Sequence, residues 1–438
     1  MPSLLISRKI MHAWCVASLV FFSFSSSGQS DYLNVKIDEQ NGAFDYPPCE
    51  PSIVVNPKNP KNVVGGAILD KVYVSEDGGL TWDIDDLESR YGVFGDPAVV
   101  ANNKGDIYFL HLSDPSGLGW AHPSLLDRIV CQRSKDNGYN WSEGASIGFV
   151  EGKDQDKEWA VCDPNSCAVY ASWTQFDKYN SRDPADSSLI FFSKSNRRAN
   201  KFIDPIRISQ YAGNCVDDDL TVEGAVPAAG PNGEVYISWA RGDSIFFDRS
   251  FDKGETWLNT DIVAGNIIGG WDQDIPGIGR CNGMPVTMVD LSDGPNRGDI
   301  YINYTDFSAG ATDSDVWVIK SQDQGSNWSD PIRVNDDYSG KHQFFTWLAI
   351  DQMTGYLYTV FYDRRNYENL NTDVFMAYSQ DGGKTWVNER ISESPFLPDA
   401  DVFFGDYNNI SAHAGVIRPI WTRMVDKKLS IWTAIIDR

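Results

Sequence analysis

Histidine is scarce in this sequence, at five in 438 residues, and cysteine is nearly as rare at seven. No Cys/His spacing resembles a zinc site, which argues against metal catalysis through these ligands. Positive charge is also in deficit: 37 Lys and Arg face 61 Asp and Glu, a formal charge of −24. So acidic a surface repels phosphate backbones, and no nucleic-acid partner is expected. Beyond residue 28 no apolar run is long enough to span a bilayer, so no membrane insertion is expected either. What is abundant is aromatic: 15 Trp, 19 Tyr and 22 Phe within 42% hydrophobic content, ample for a core and incompatible with a disordered chain. Gly 37 and Pro 21 point to many turns and few long helices.

Residues 1–28 contain no acidic side chain. Arg8 and Lys9 precede an apolar run over 13–24, and Ser26-Ser27-Gly28 offers small residues for cleavage. This pattern predicts a signal peptide over 1–28, with export to the periplasm or the outside; an uncleaved anchor is the alternative. Six cysteines follow: Cys49, Cys131, Cys162, Cys167, Cys215 and Cys281. Six allow fifteen pairings. Cys162 and Cys167 flank the turn-like Asp163-Pro164-Asn165-Ser166, so a local bridge between them is the first expectation.

Internal repetition decides the fold. Ser75-Glu76-Asp77-Gly78-Gly79-Leu80-Thr81-Trp82 fits S-x-D-x-G-x-x-W, and the pattern recurs from Ser134, Ser250, Ser321 and Ser379. A decayed copy begins at Ser193, with Phe202 in the aromatic role after two extra residues. The serines at 75, 134, 193, 250, 321 and 379 are spaced by 59, 59, 57, 71 and 58 residues. The motif suits a tight hairpin: Asp caps turn N–H groups, Gly takes a positive φ, and Trp packs beneath.

Apolar runs precede each serine, as in Val316-Trp317-Val318, and a second recurrent segment lies upstream, as in Gly298-Asp299-Ile300-Tyr301-Ile302. Each unit thus holds four strands, the make-up of a propeller blade. After the sixth unit, 401–438 supplies three more strands. The fourth is expected from Asp31 to Ile37, closing the ring and removing sheet edges. The reading is an all-β, seven-bladed propeller over 29–438 as one domain, with six blades as runner-up.

With these motifs the chain resembles the sialidase-like Asp-box (BNR-repeat) propeller superfamily over essentially its whole mature length. The resemblance implies a carbohydrate ligand, a monomer, no cofactor and a site at the channel mouth. The Asp-box aspartates are then turn residues. The mouth positions are polar: Glu50, Asp96, Glu158, Glu223, Arg280, His342, Asp406 and Tyr407, with Arg182, Arg241, Asp306, Asp363, Arg364, Arg365 and Arg423 on nearby loops. Acids interleaved with arginines suit a hydroxyl-rich or anionic sugar.

Sialidases use a tyrosine nucleophile paired with a glutamate, an aspartate acid/base and three arginines on the substrate carboxylate. Phe404-Gly405-Asp406-Tyr407-Asn408 is similar to the strand carrying the tyrosine. Glu223-Gly224-Ala225-Val226-Pro227, followed by Arg241, is similar to the glutamate strand, and Asp363-Arg364-Arg365 to a triad-arginine loop. The resemblance therefore implies Tyr407, Glu223 and Asp96 as catalytic, with Glu158 behind Asp96. Arg241, Arg364, Arg365, Arg280, Glu158 and Asp406 would bind substrate. The chain departs from the pattern in two places. The Phe-Arg-Ile-Pro element of the first arginine is absent, and its place reads Pro47-Pro48-Cys49-Glu50-Pro51; a full unit at about 284–335 exceeds six blades. Asp217-Asp218-Asp219 reads as an acidic surface turn, with Ca²⁺ ligation as the alternative. Trp120, Trp271 and Trp347 are candidate sugar platforms. The functional expectation is a secreted sialidase-like glycoside hydrolase. The alternatives are a non-catalytic glycan- or protein-binding propeller, and a glycosidase of other specificity using two of Asp96, Glu158 and Glu223.

Overall fold

The computed structural model describes residues 31–42 and 46–438. The expected signal peptide at 1–28 lies outside the described residues. Seven antiparallel sheets of four strands follow one another along the chain and pack around a central channel. Blades 1 to 6 span 52–86, 98–147, 154–207, 223–266, 286–333 and 343–390. Blade 7 takes three strands from 409–437, and Leu33–Glu39 pairs antiparallel with Lys428–Asp437 as its outermost strand. The N-terminal closure holds, and seven blades replace the six-bladed alternative.

Inner and middle strands are buried on both faces because each sheet is sandwiched between two neighbours. Ile107–Leu112 and Gln343–Asp351 are buried throughout, whereas the outermost strand of blade 1, Asp83–Asp86, is exposed throughout. Short, charged outer strands of this kind protect sheet edges from further pairing.

The recurrent hairpin turn is best seen at Ser250. Asp252 Oδ1 accepts the Glu255 and Thr256 N–H groups at 3.1 and 2.8 Å, and Oδ2 accepts the Thr256 hydroxyl at 2.6 Å. These bonds, that of the Thr256 side chain first, hold the Asp252 carboxyl down to about 2. Gly254 (φ +81) donates to Ser250 Oγ at 2.8 Å, and Trp257 meets Phe192 of blade 3 edge-on at 4.9 Å. A Cβ on Gly254 would stand 2.2 Å from Phe192 Cε1, whereas one on Gly298 (φ +90) meets nothing within 4 Å. Left-handed backbone costs a side chain about 1–2 kcal/mol. Gly298→Ala should lose that much, and Gly254→Ala clearly more, in thermal or denaturant unfolding; equal losses would remove packing against Phe192 from the account.

The third turn differs from its sequence alignment. Ser195, not Ser193, pairs with Phe202, just as Ser134 pairs with Trp141, so the serine-to-aromatic spacing is conserved without extra residues. Arg197 then stands where the other turns carry Asp. Asn196 does the capping instead, its Oδ1 accepting the Arg198 and Asn200 N–H groups at 3.1 and 3.4 Å.

The expected Cys162–Cys167 bridge is not formed: both are free thiols, as are Cys49, Cys131, Cys215 and Cys281. A carboxylate closes that turn. Asp163 accepts the Asn165 N–H at 2.9 Å and the Tyr170 hydroxyl at 3.0 Å. Cys162 pairs with Val169 in the sheet, while the Cys167 thiol lies 3.6 Å from Asn103 Oδ1 of the preceding blade.

Candidate functional site

The inner strands enter the channel through local kinks. Glu50, Asp96, Lys157 and Phe345 have left-handed φ of 53°, 49°, 53° and 51°, and Gly224 has 73°. The strand register slips at the same points, between Asp156 and Trp159, Glu223 and Val226, and Phe344 and Trp347. A bulge re-aims the side chains around it. Left-handed non-glycine residues are costly and persist where the surroundings over-determine them. Three of them, Glu50, Asp96 and Lys157, line one cleft.

Lys157 is the hub. Buried at 3% exposure, its Nζ lies 2.5 Å from Asp406 Oδ2, 3.3 Å from Asp96 Oδ2 and 3.9 Å from Glu50 Oε1. Arg280 clamps the same Asp406 with two nitrogens, Nε at 2.7 Å, and reaches Asp217 Oδ2 at 2.8 Å. Asp217 also accepts the Tyr179 hydroxyl and the Trp271 indole N–H, both at 3.0 Å. Burial opposes charge on Asp406, but Arg280 and then Lys157 hold its carboxyl well below the usual range. Burial likewise opposes charge on Lys157, and Asp406, Asp96 and Glu50 overcome it.

Other acids are pushed the opposite way. Burial, then the charge of Asp96, raises Glu50 well above the carboxylate range and Asp156 to about 7. Glu158 is raised by burial and Asp96, Glu223 by burial and Asp217. Glu223 shares a side-chain hydrogen bond with Asp217, whereas the Tyr407 hydroxyl has no hydrogen-bond partner among the described residues. The cleft thus combines ion-paired carboxylates with two acids, Glu50 and Asp156, whose pKa is raised, the contrast acid–base chemistry requires.

The cleft has a volume of about 230 Å³, and Glu50, Asp96, Asp156, Lys157 and Arg280 supply its polar wall. Its rim is aromatic. Trp120, 67% exposed on the 3₁₀ turn Gly119–Ala121, stacks on Tyr179 at 5.7 Å and meets Phe94 edge-on at 5.9 Å. Of the three tryptophan candidates only Trp120 lines this cleft. Trp271 is buried against Asp217, and Trp347 packs on Trp159 at 4.3 Å.

Of the sequence-derived mouth residues, Glu50, Asp96 and Arg280 line the cleft. Asp406 lies beneath them as the shared anchor, 1% exposed. Tyr407, Glu158 and Glu223 belong to a deeper buried layer outside the cleft lining, where the Tyr407 ring packs 4.9 Å from Trp159. Arg241 donates to the Ala212 carbonyl at 3.1 Å. Arg364 is buried over the Phe344 ring and donates to the Pro276 carbonyl at 2.7 Å; burial lowers its pKa to about 10. Arg365 is bound to Asp363 and Asp336 at 2.7 and 2.5 Å. These three arginines do not converge on the cleft. Lys157, Asp156 and Tyr179 are site residues that the sequence reading missed. The side chains of the Asp217 triplet are engaged: Asp217 as above, Asp218 with Asn214, and Asp219 with the Asp272 N–H.

No protein-family model and no curated protein matches the sequence. Solved structures do. The NanB sialidase of Streptococcus pneumoniae superposes with a TM-score of 0.51 at 8% identity, over 86% of this chain and 83% of that one. An ulvan lyase, a polysaccharide lyase, gives 0.51 at 11% identity over 91% and 96%. A Dyadobacter fermentans protein of unknown function gives 0.50 at 13% over 77% and 94%. At such identities the likeness is one of fold: this chain has the propeller architecture of these proteins.

Proposed function

We propose that the protein acts on glycans as a glycoside hydrolase, with its chemistry in the cleft at the channel mouth. The observation that carries this reading is the placement of Asp96. Its carboxylate faces the cleft, is paired with Lys157, and is flanked by Glu50 and Asp156, two acids whose pKa values are raised. Two-carboxylate hydrolysis needs one charged group and one that holds a proton. The aromatic rim supplies a face for sugar rings. Among solved propellers of this fold, a sialidase and a polysaccharide lyase both act on carbohydrate.

The finer reading, hydrolysis of sialic acid, asks for cations free to grip a carboxylate and for a tyrosine that touches substrate. In the cleft both cations, Lys157 and Arg280, are committed to Asp406, Asp96 and Asp217. Tyr407 is buried against Trp159 and Trp347, outside the cleft lining. The chemistry of the cleft therefore favours a neutral sugar over a sugar acid, with the carboxyls of Asp96 and Asp156 in place of a tyrosine nucleophile.

The test is a panel of chromogenic neutral glycosides and sialosides, run on wild type and Trp120→Ala. Neutral glycosides should be cleaved, and Trp120→Ala should raise KM about tenfold with an unchanged melting temperature, because an exposed platform carries binding rather than folding. Cleavage restricted to sialosides would restore the tyrosine reading. Glycan binding without cleavage of any substrate would make the protein a lectin-like propeller.

A further inference from the structure

The degenerate third turn has a consequence on the opposite face. The turns joining first to second and third to fourth strands lie away from the cleft, and there blades 3 and 4 enclose a pocket of about 440 Å³. That is within the range of small-ligand sites. Its lining includes Lys194, Arg197, Lys253, Ser195 and Asn165. In a chain of charge −24, residues 194–201 carry four cations (Lys194, Arg197, Arg198, Lys201) and no acid. Asp163 and Glu255 each face one lysine, Lys253 at 3.9 Å and Lys194 in a close pair. Arg197 is exposed and takes part in no ion pair among the described residues.

The repeat explains why this arginine is free. In the other turns the residue two after the serine is an aspartate spent on its own backbone, as Asp252 is. Here Asn196 has taken over that capping, so Arg197 is released from it and lines the pocket. Guanidinium and ammonium groups around a polar pocket select carboxylate or sulfate oxygens.

We infer that this pocket is a second carbohydrate site, which holds an anionic glycan through sulfate ester or uronate groups. The choice of a glycan as carrier of the anion rests on the proposed function; the anion site does not. A narrow oligosaccharide strand reaches such a pocket. A duplex or a membrane would bring the strongly acidic remainder of the surface within a Debye length, about 8 Å in physiological salt.

Binding to dextran sulfate, with plain dextran as control, tests this by titration at several salt concentrations. Wild type should bind dextran sulfate alone. Arg197→Asp, which restores the acid of the other turns, should weaken binding at least about tenfold, and Lys253→Gln less, each lowering the salt slope by about 1 per cation removed. Melting temperature and glycoside cleavage should not change. Equal binding by wild type and variants, or equal binding to plain dextran, overturns the inference. Tighter binding to duplex DNA or to phosphatidylserine vesicles overturns it in favour of those polyanions. Loss of the glycoside-cleavage reading with dextran sulfate binding intact would separate the two proposals.

Discussion

Asp96→Asn is expected to reduce cleavage of the preferred glycoside by about 10²–10⁴-fold, the usual contribution of a positioned acid or base. Its melting temperature should stay near that of wild type, because Lys157 keeps Asp406 as its closest partner at 2.5 Å. The pH profile adds a second check. Asp156, raised to about 7 by burial and by Asp96, must hold its proton to act as general acid. Activity should therefore fall on the alkaline side with a midpoint near 7, and Asp156→Asn should abolish that limb. In Asp96→Asn the residual activity should lose its alkaline limb at lower pH, since the charge that raises Asp156 is gone. Full activity in Asp96→Asn would move the chemistry out of this cleft.

The propeller was legible because its hairpin turn is a chemical unit. Serine, aspartate and glycine are each required by a named hydrogen bond or a positive φ, so the pattern survives repetition. Where one member is replaced, as Arg197 replaces the aspartate, alignment on the wrong serine followed, and the bridge from Ser195 to Phe202 corrects it. The closing strand was legible because an incomplete last blade leaves an edge that must be paired.

The cleft was only half legible. Simple strand alternation brings Glu158 to the channel, but the left-handed kink at Lys157 breaks the alternation, placing Lys157 and Asp156 in the cleft and Glu158 below it. No residue preference marks a left-handed lysine, so nothing in the local sequence announces the kink. The same blindness applies to depth. Asp406 and Tyr407 are adjacent in sequence, but Asp406 is capped by cations from blade 3 and from the loop before blade 5, whereas Tyr407 is packed against Trp159 and Trp347. The thiols of Cys162 and Cys167 were misread for a related reason, because spacing is silent on a carboxylate that already closes the turn.

Asp406→Asn should damage folding strongly, costing about 3–5 kcal/mol, because it takes the closest carboxylate from buried Lys157 and one of two carboxylates from half-buried Arg280. Lys157 would be left with Asp96 and the more distant Glu50, and Arg280 with Asp217. Asp406→Asn combined with Lys157→Met should recover part of the loss, since the unpaired buried ammonium is then gone. A single variant within about 1 kcal/mol of wild type in denaturant unfolding would remove the network from its structural role. The dependence on acid follows from the same charges. The folded pKa of Asp406 is depressed, so its contribution is present above the unfolded carboxylate value of about 3.9 and is lost only as pH falls through the lower folded value. Asp156 works in reverse: its contribution is complete below about 3.9 and disappears as pH rises through about 7. The wild-type stability profile should therefore decline from mildly acid to neutral pH. Asp156→Asn should flatten that decline, and Asp406→Asn should lower stability across the range while weakening the loss at very low pH.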